Sequence, residues 1–351
     1  MANQNIRTPI FFPDLIGYIR DRQGSAVITQ ITGSNLISMP SGSTVNDLVD
    51  GRPLNSVTFD TSSAASTDHI LFNFNFGSAT HRCNYIAILN HNMKTADTAI
   101  KVFAGNATSD INAINGSGDI NTSSVSATEV INAGGTIAAA DSNSSWLITP
   151  GTDGHTLITF PEQTYRYWGI QFEGTDSNDF DDTTDLFIGN IMMGESYTMP
   201  RSPDLNLTKS IHYDGVKVQE SVGGQRYGSA TNLGKVATTS GRSPFNVGED
   251  YTQFTHGGRQ MFDLNFSYIN STDLIPDNMQ SMDFDDDSVF GDVWNITNGA
   301  MRPFIFGVDS TVTGSNAESS YLYARFGMNS LNMNQVANDV YNVNLRIEEE
   351  I

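Results

Sequence analysis

From His69 to Phe76 the chain alternates. Ile70, Phe72, Phe74 and Phe76 fall on one face, with Asn73 and Asn75 on the other. A side-chain period of two predicts a half-buried strand. Tyr85 to Leu89 breaks the alternation and is apolar at every position, which predicts a central strand covered on both faces. Further strands are expected at Ala99 to Phe103, Thr156 to Phe160, Tyr165 to Phe172 and Asp185 to Met192. In the second half the same reading gives strands over Ser210 to Gln219, Gly257 to Ile269, Pro303 to Val308, Tyr321 to Gly327 and Tyr341 to Ile347. One helix stands out near 286–297. Val289, Phe290, Val293, Trp294 and Ile296 share a helical face, the acidic run Asp285 to Asp287 precedes them, and Asn298-Gly299 follows as a stop.

Many short strands separated by turn residues predict a mainly β protein. The first half reads as a β-sandwich of jelly-roll type. Tyr197 to Asp204 carries Pro200 and Pro203, which favour an extended connector. The expected division is therefore a sandwich over 1–198 and a second β domain over 199–351. The stretch from Gly105 to Ser145 has little apolar content and no sustained period, and is expected to be a long loop or a hairpin excursion.

Composition narrows the function. Eighteen basic residues stand against 39 acidic ones, a net charge of −21. Nucleic-acid binding needs a basic footprint that displaces counterions, so it is not expected. Nor is membrane insertion, since no apolar run approaches the length of a spanning helix. Met1 to Gln23 does not read as a secretory leader, because Pro13 breaks its apolar part and Arg7, Arg20 and Arg22 are spread through it. The single cysteine, Cys83, is expected to be a buried structural thiol.

Candidate chemistry is sparse. Asp176, Asp179, Asp181 and Asp182, with Asn178, form an oxygen-rich stretch that could offer ligands to Ca²⁺. Asp283, Asp285 and Asp287 begin with the spacing of an EF-hand, but Ser288 stands where glycine is required and Trp294 where the closing glutamate belongs. Zinc-protease, serine-hydrolase and phosphate-loop signatures are absent from the sequence. No catalytic residue, metal or cofactor is assigned. The corner Asn90-His91-Asn92, at the end of the most apolar strand, is the one arrangement to resolve. Asparagine tolerates left-handed backbone and imidazole caps carbonyls, so it is expected to close a strand.

The stretch from Asn84 to Lys94, NYIAILNHNMK, followed by Ala99-Ile100-Lys101-Val102, resembles an element of bacteriophage tail proteins. Asp50-Gly51, Tyr167-Trp168-Gly169-Ile170 and Phe187 to Gly194 are similar to parts of the discoidin-like or jelly-roll modules of those virions. Arg259 to Ile269, the helix, Arg302 to Phe306 and a last strand into Glu348-Glu349-Glu350 resemble the tail-tube-like β-barrel of distal tail and baseplate proteins. This resemblance implies a non-enzymatic structural component of a virion tail, at the tip or baseplate or as a minor tail protein. It would assemble as a ring or an attached subunit, in the host cytoplasm. Its implied partners are other tail proteins and further copies of itself, with a host-surface glycan as a candidate ligand. A carbohydrate-binding module, and a polysaccharide-degrading enzyme, stand as alternatives.

Overall fold

A computed structural model describes residues 6–23, 27–65, 67–77, 80–112, 128–129, 136–137, 141–144, 147–151, 153–175, 179–213, 216–229, 259–279, 287–312 and 320–350. Its strands form three larger sheets and one hairpin, and every strand pairing in them is antiparallel.

The first sheet runs in the order Ile28–Gln30, Ile70–Asn75, Tyr167–Gly174, Thr98–Gly105, Leu147–Pro150, Asp141–Ser144. The second runs Val57–Phe59, Leu186–Gly194, His81–His91, Gly154–Tyr165, Thr136–Ile137. They face each other as a sandwich. The alternating residues read from the sequence point inward, so Phe72, Phe74, Trp168, Ile170 and Phe172 meet Ile86, Ile88, Ile188 and Ile191 in one core. Burying side chains of this size contributes about 1.5–3 kcal/mol each.

The third sheet explains why Tyr85 to Leu89 is apolar on both faces. Its order is Tyr197–Thr198, Ile10–Pro13, Phe304–Gly307, Tyr321–Phe326, Val340–Glu349, Arg259–Asn270, Thr208–His212, with Met333–Ala337 pairing Val340–Glu349. Phe12, Ile305, Tyr321 and Tyr323 from this sheet pack on Tyr85, Ala87, Leu89 and Leu157 from the outer face of the second. The second sheet is thus the middle layer of three. The far face of the third sheet buries Phe11, Phe304, Phe306 and Phe326 against Val289 and Val293.

The closed barrel expected for the second half is not formed. Among the described residues the end strands Tyr197–Thr198 and Thr208–His212 pair with Ile10–Pro13 and Arg259–Asn270, and not with each other. The reason is physical. A sheet that covers a neighbouring sheet with one face cannot also curl that face into a lumen. A strand from the start of the chain, Ile10–Pro13, lies inside this sheet beside Phe304–Gly307.

The expected helix is present at Val289–Asn295, wound as a π-helix. Its N-cap is Ser288, whose Oγ accepts the Gly291 N–H at 3.0 Å while Asp292 accepts the Ser288 N–H at 2.8 Å. Asn298 and Gly299 both adopt left-handed backbone and stop it, with the Gly299 N–H on Trp294 O. A helix at Leu15–Gln23 was not expected from the sequence. The strand expected over Ser210 to Gln219 is two strands, Thr208–His212 and Lys217–Glu220, the second paired with Arg226–Ser229. Within the stretch from Gly105 to Ser145, a short helix at Thr108–Asn112 and short strands at Thr128–Glu129, Thr136–Ile137 and Asp141–Ser144 are described.

Candidate functional site

The Asn90-His91-Asn92 corner is a closed hydrogen-bond knot. Asn90 sits at φ 53°, in the left-handed region that asparagine tolerates, and its Nδ2 donates to Pro53 O at 2.7 Å. Asn92 grips the start of the strand Leu186–Gly194, donating to Asp185 O at 2.8 Å and accepting the Phe187 N–H at 2.7 Å. His91 is fully buried. Its Nδ1 accepts the Met93 N–H, so the proton sits on Nε2, which donates to Thr156 Oγ1 at 2.9 Å. Burial, with His155 close by, lowers the His91 pKa to about 3, and burial lowers that of His155 to about 4. Both rings are neutral at physiological pH. Asp153 Oδ1 accepts the N–H groups of Lys94 and Thr95 at 3.0 and 3.1 Å, and the Thr95 hydroxyl reaches its Oδ2. This corner ties strand ends together and presents no ring nitrogen to solvent.

Cys83 lies in the sandwich core outside any disulfide, completely buried, and His81 packs edge-on against Phe76 with ring centroids 5.8 Å apart. Neither forms a solvent-facing nucleophile.

Only part of the oxygen-rich stretch is described. Asp176 and Asn178 lie outside the described residues. Asp179 and Asp182 are exposed. Asp181 spends Oδ1 on the Thr183 N–H and hydroxyl at 2.9 and 2.7 Å, which holds its carboxyl below the usual range. Among the described residues no group of three or more histidine, cysteine, aspartate or glutamate side chains is arranged to hold a metal ion.

Two clefts lie elsewhere. One, of about 360 Å³, covers the polar face of Arg259–Asn270 and Val340–Glu349 in the third sheet. Asp263 stands opposite Arg346 in register, with Oδ1 2.6 Å from Nε, and Asn265 stands opposite Asn344. Met328, Ser330 and Asn332 close its side. The cleft therefore gathers one carboxylate, one guanidinium, three amides and a hydroxyl around a thioether. In the sequence Asp263 and Asn265 alternate with Phe262, Leu264 and Phe266, and Asn344 and Arg346 with Val343, Leu345 and Ile347. That alternation did not show that the two faces adjoin. The second cleft, of about 200 Å³, lies between Gly51 to Leu54 and the third-sheet residues Tyr323, Arg325 and Glu350. The Tyr323 hydroxyl donates to Gly51 O at 3.0 Å, and Arg325 pairs with Glu350 at 2.7 Å.

No protein-family model matches this chain, and no curated protein matches it. Solved structures do. A pectin-binding carbohydrate-binding module matches at 15% identity and a TM-score of 0.29, over 47% of this chain and 87% of that one. Chitosan-binding module 1, from a chitosanase/glucanase of Paenibacillus sp. IK-5, matches at 16% and 0.29, over 47% and 92%. CBM32 of AlyQ, solved with 4,5-unsaturated mannuronic acid, matches at 15% and 0.26, over 47% and 97%. Each likeness covers about half of this chain. At these identities and TM-scores none carries a ligand or an activity across. The structures named are carbohydrate-binding modules, and a tail protein is not among them.

Proposed function

We propose that this chain is a non-catalytic carbohydrate-binding protein, and that the cleft over Asp263, Asn265, Asn344 and Arg346 takes the sugar. One observation carries the reading: the polar side chains that line this cleft together with Met328. A pyranose ring presents hydroxyls that both donate and accept. Asparagine amides match both roles, an aspartate accepts, and an arginine donates. Met328 offers apolar surface to the C–H face of the ring. Catalysis is not part of the proposal. Glycoside hydrolysis needs two carboxyl groups about 5–10 Å apart across the bond. Asp263 is the one carboxylate lining this cleft, and it is committed to Arg346.

The test is titration of the full chain against a panel of neutral and acidic oligosaccharides by calorimetry. Binding that Asn344→Ala and Arg346→Ala each weaken about tenfold, the loss of roughly one hydrogen bond to a charged or amide group, is the expected result. No binding to any glycan overturns the reading. Binding that both substitutions leave intact moves the site out of this cleft.

A second reading, a structural subunit of a virion tail built in the host cytoplasm, follows from the sequence resemblance. What favours it is the exposed apolar hairpin of residues 216–229, a feature suited to assembly. Purified virions whose protein content lacks this chain would exclude it.

A further inference from the structure

We infer that residues 205–213 and 216–229 form an arm that docks on a second copy of this chain. Every residue of Thr208–His212, Lys217–Glu220 and Arg226–Ser229 is exposed. The last two strands make a two-stranded sheet of their own. An isolated two-stranded hairpin is marginally stable at best in water. This one also exposes apolar side chains among its polar ones. Of the twelve large hydrophobic residues exposed among the described residues, seven lie between Leu205 and Tyr227. Val218 is 63% exposed, Tyr227 58% and Ile211 50%. Val216 and Val218 share one face of the hairpin, and Tyr227 lies on the other, so both faces offer apolar surface. Apolar surface concentrated in this way marks an interaction site.

Charge selects the occupant. Between 205 and 229 the sequence holds three basic residues and two acidic ones, a net +1. The rest of the chain holds 15 basic and 37 acidic, a net −22. Two bodies of that charge repel wherever acidic surface meets acidic surface. The arm is a part of the chain that can approach the body of another copy without that penalty. Lys217, with Arg226 that also pairs with Glu220 at 3.1 Å, then meets acidic surface while Val218 and Tyr227 are covered. The sheet adds a second route to pairing. Thr208–His212 is its end strand among the described residues, and end strands template the addition of another strand. Arm and body are different patches, so each copy gives one contact and receives one. Such head-to-tail contacts close into a ring or extend into a filament.

Sedimentation velocity on the full chain at low and high salt tests the proposal. The expected result is concentration-dependent self-association at low salt that weakens as salt screens the charge. The double variant Val218→Asp/Tyr227→Asp should be monomeric. Lys217→Glu/Arg226→Glu should raise the dissociation constant about tenfold or more. Both variants should melt like the parent, because the hairpin contributes nothing to the three cores. A chain that stays monomeric at every concentration and salt overturns the proposal. So does an oligomer that both variants leave intact. Glycan binding by the cleft is read separately, and its loss or survival in these variants does not bear on the arm.

Discussion

The Nδ1 of His91 accepts the Met93 N–H at 3.2 Å, which fixes the tautomer and leaves Nε2 to donate to Thr156. The ring is therefore built into the fold as a neutral donor and acceptor, and burial keeps its neighbour His155 neutral as well.

That neutrality predicts acid sensitivity. The folded pKa values are about 3 for His91 and about 4 for His155, against an ordinary 6.5. Between pH 6.5 and 4 the unfolded chain takes up protons that the folded chain refuses. The contribution is thus complete above pH 6.5 and is lost as pH falls through this window. Urea denaturation midpoints of the parent should fall more steeply from pH 6.5 to 4.5 than those of His91→Gln. The slope is the readout, since the substitution also lowers stability overall by disturbing a buried hydrogen-bonded group. Equal slopes would show that His91 titrates freely in the folded protein.

Glu195 predicts the opposite trend at higher pH. Its carboxylate lies 3.2 Å from Arg82, yet its pKa is raised from 4.5 to about 8. Burial is the main cause. Arg82 opposes it, but that guanidinium is shared with Glu162 and Asp287, and Asp292 adds a further negative charge. The folded chain therefore holds a proton that the unfolded chain has lost. This contribution is complete below pH 4.5 and is lost as pH rises through 8. Glu195→Gln should match the parent near pH 4.5 and exceed it in thermal midpoint at pH 9. A variant less stable than the parent at pH 9 would mean that the Arg82 pair outweighs burial.

Gly189 predicts a local packing failure. A Cβ there would lie 2.0 Å from Pro53 O and 2.8 Å from Leu89 O. Both are backbone atoms, so the loop from Gly51 must move, and with it the bond from Asn90 to Pro53. Gly189→Ala should cost about 3 kcal/mol. Gly228→Ala, where a Cβ meets open space, should change stability by less than about 0.5 kcal/mol. Chemical denaturation of both variants checks the contrast, and near-equal costs would refute it.

The longer strands with one buried face were legible. The alternation of Ile70, Phe72 and Phe74 maps directly onto the sandwich core. The doubly apolar run at Tyr85 to Leu89 reads as a strand covered on both faces, and the third sheet supplies one of the covers. Other features were hidden for identifiable reasons. Ile10–Pro13 has four residues and ends in proline, so its period is too short to count, and its partner Phe304–Gly307 lies almost three hundred positions away. Leu15, Ile16, Tyr18 and Ile19 do carry a helical spacing, but in a nine-residue element beside that proline. The barrel failed because sequence pattern shows which face of a strand is apolar and not what covers it. The cleft was hidden in the same way. Asp263 and Arg346 are 83 residues apart, and only strand register brings them to 2.6 Å.

The joint between the helix Leu15–Gln23 and the third sheet rests on Asp14 and Arg302. Asp14 Oδ1 accepts the Gly17 N–H at 3.1 Å and so caps the helix, and its Oδ2 lies 3.7 Å from Arg302 Nη1. Both side chains are nearly inaccessible, at 3% and 6%. Asp21 also contacts the guanidinium. Burial raises the Asp14 pKa from 3.8 to about 6, with Arg302 opposing the rise. Arg302→Met removes the cation and leaves the carboxylate buried, which typically costs about 3–5 kcal/mol. The cost should depend on pH. At pH 8 the lone carboxylate must be held charged, whereas at pH 5 it can take up a proton and keep its capping role. The variant should therefore lie well below the parent in urea stability at pH 8 and recover part of the gap at pH 5. Adding Asp14→Asn keeps an N-capping oxygen and removes the charge. The double variant should regain much of the loss at pH 8, and the double-mutant cycle then gives the coupling between the pair. A single variant equally destabilised at both pH values, with no recovery in the double, would mean that Arg302 acts through packing alone.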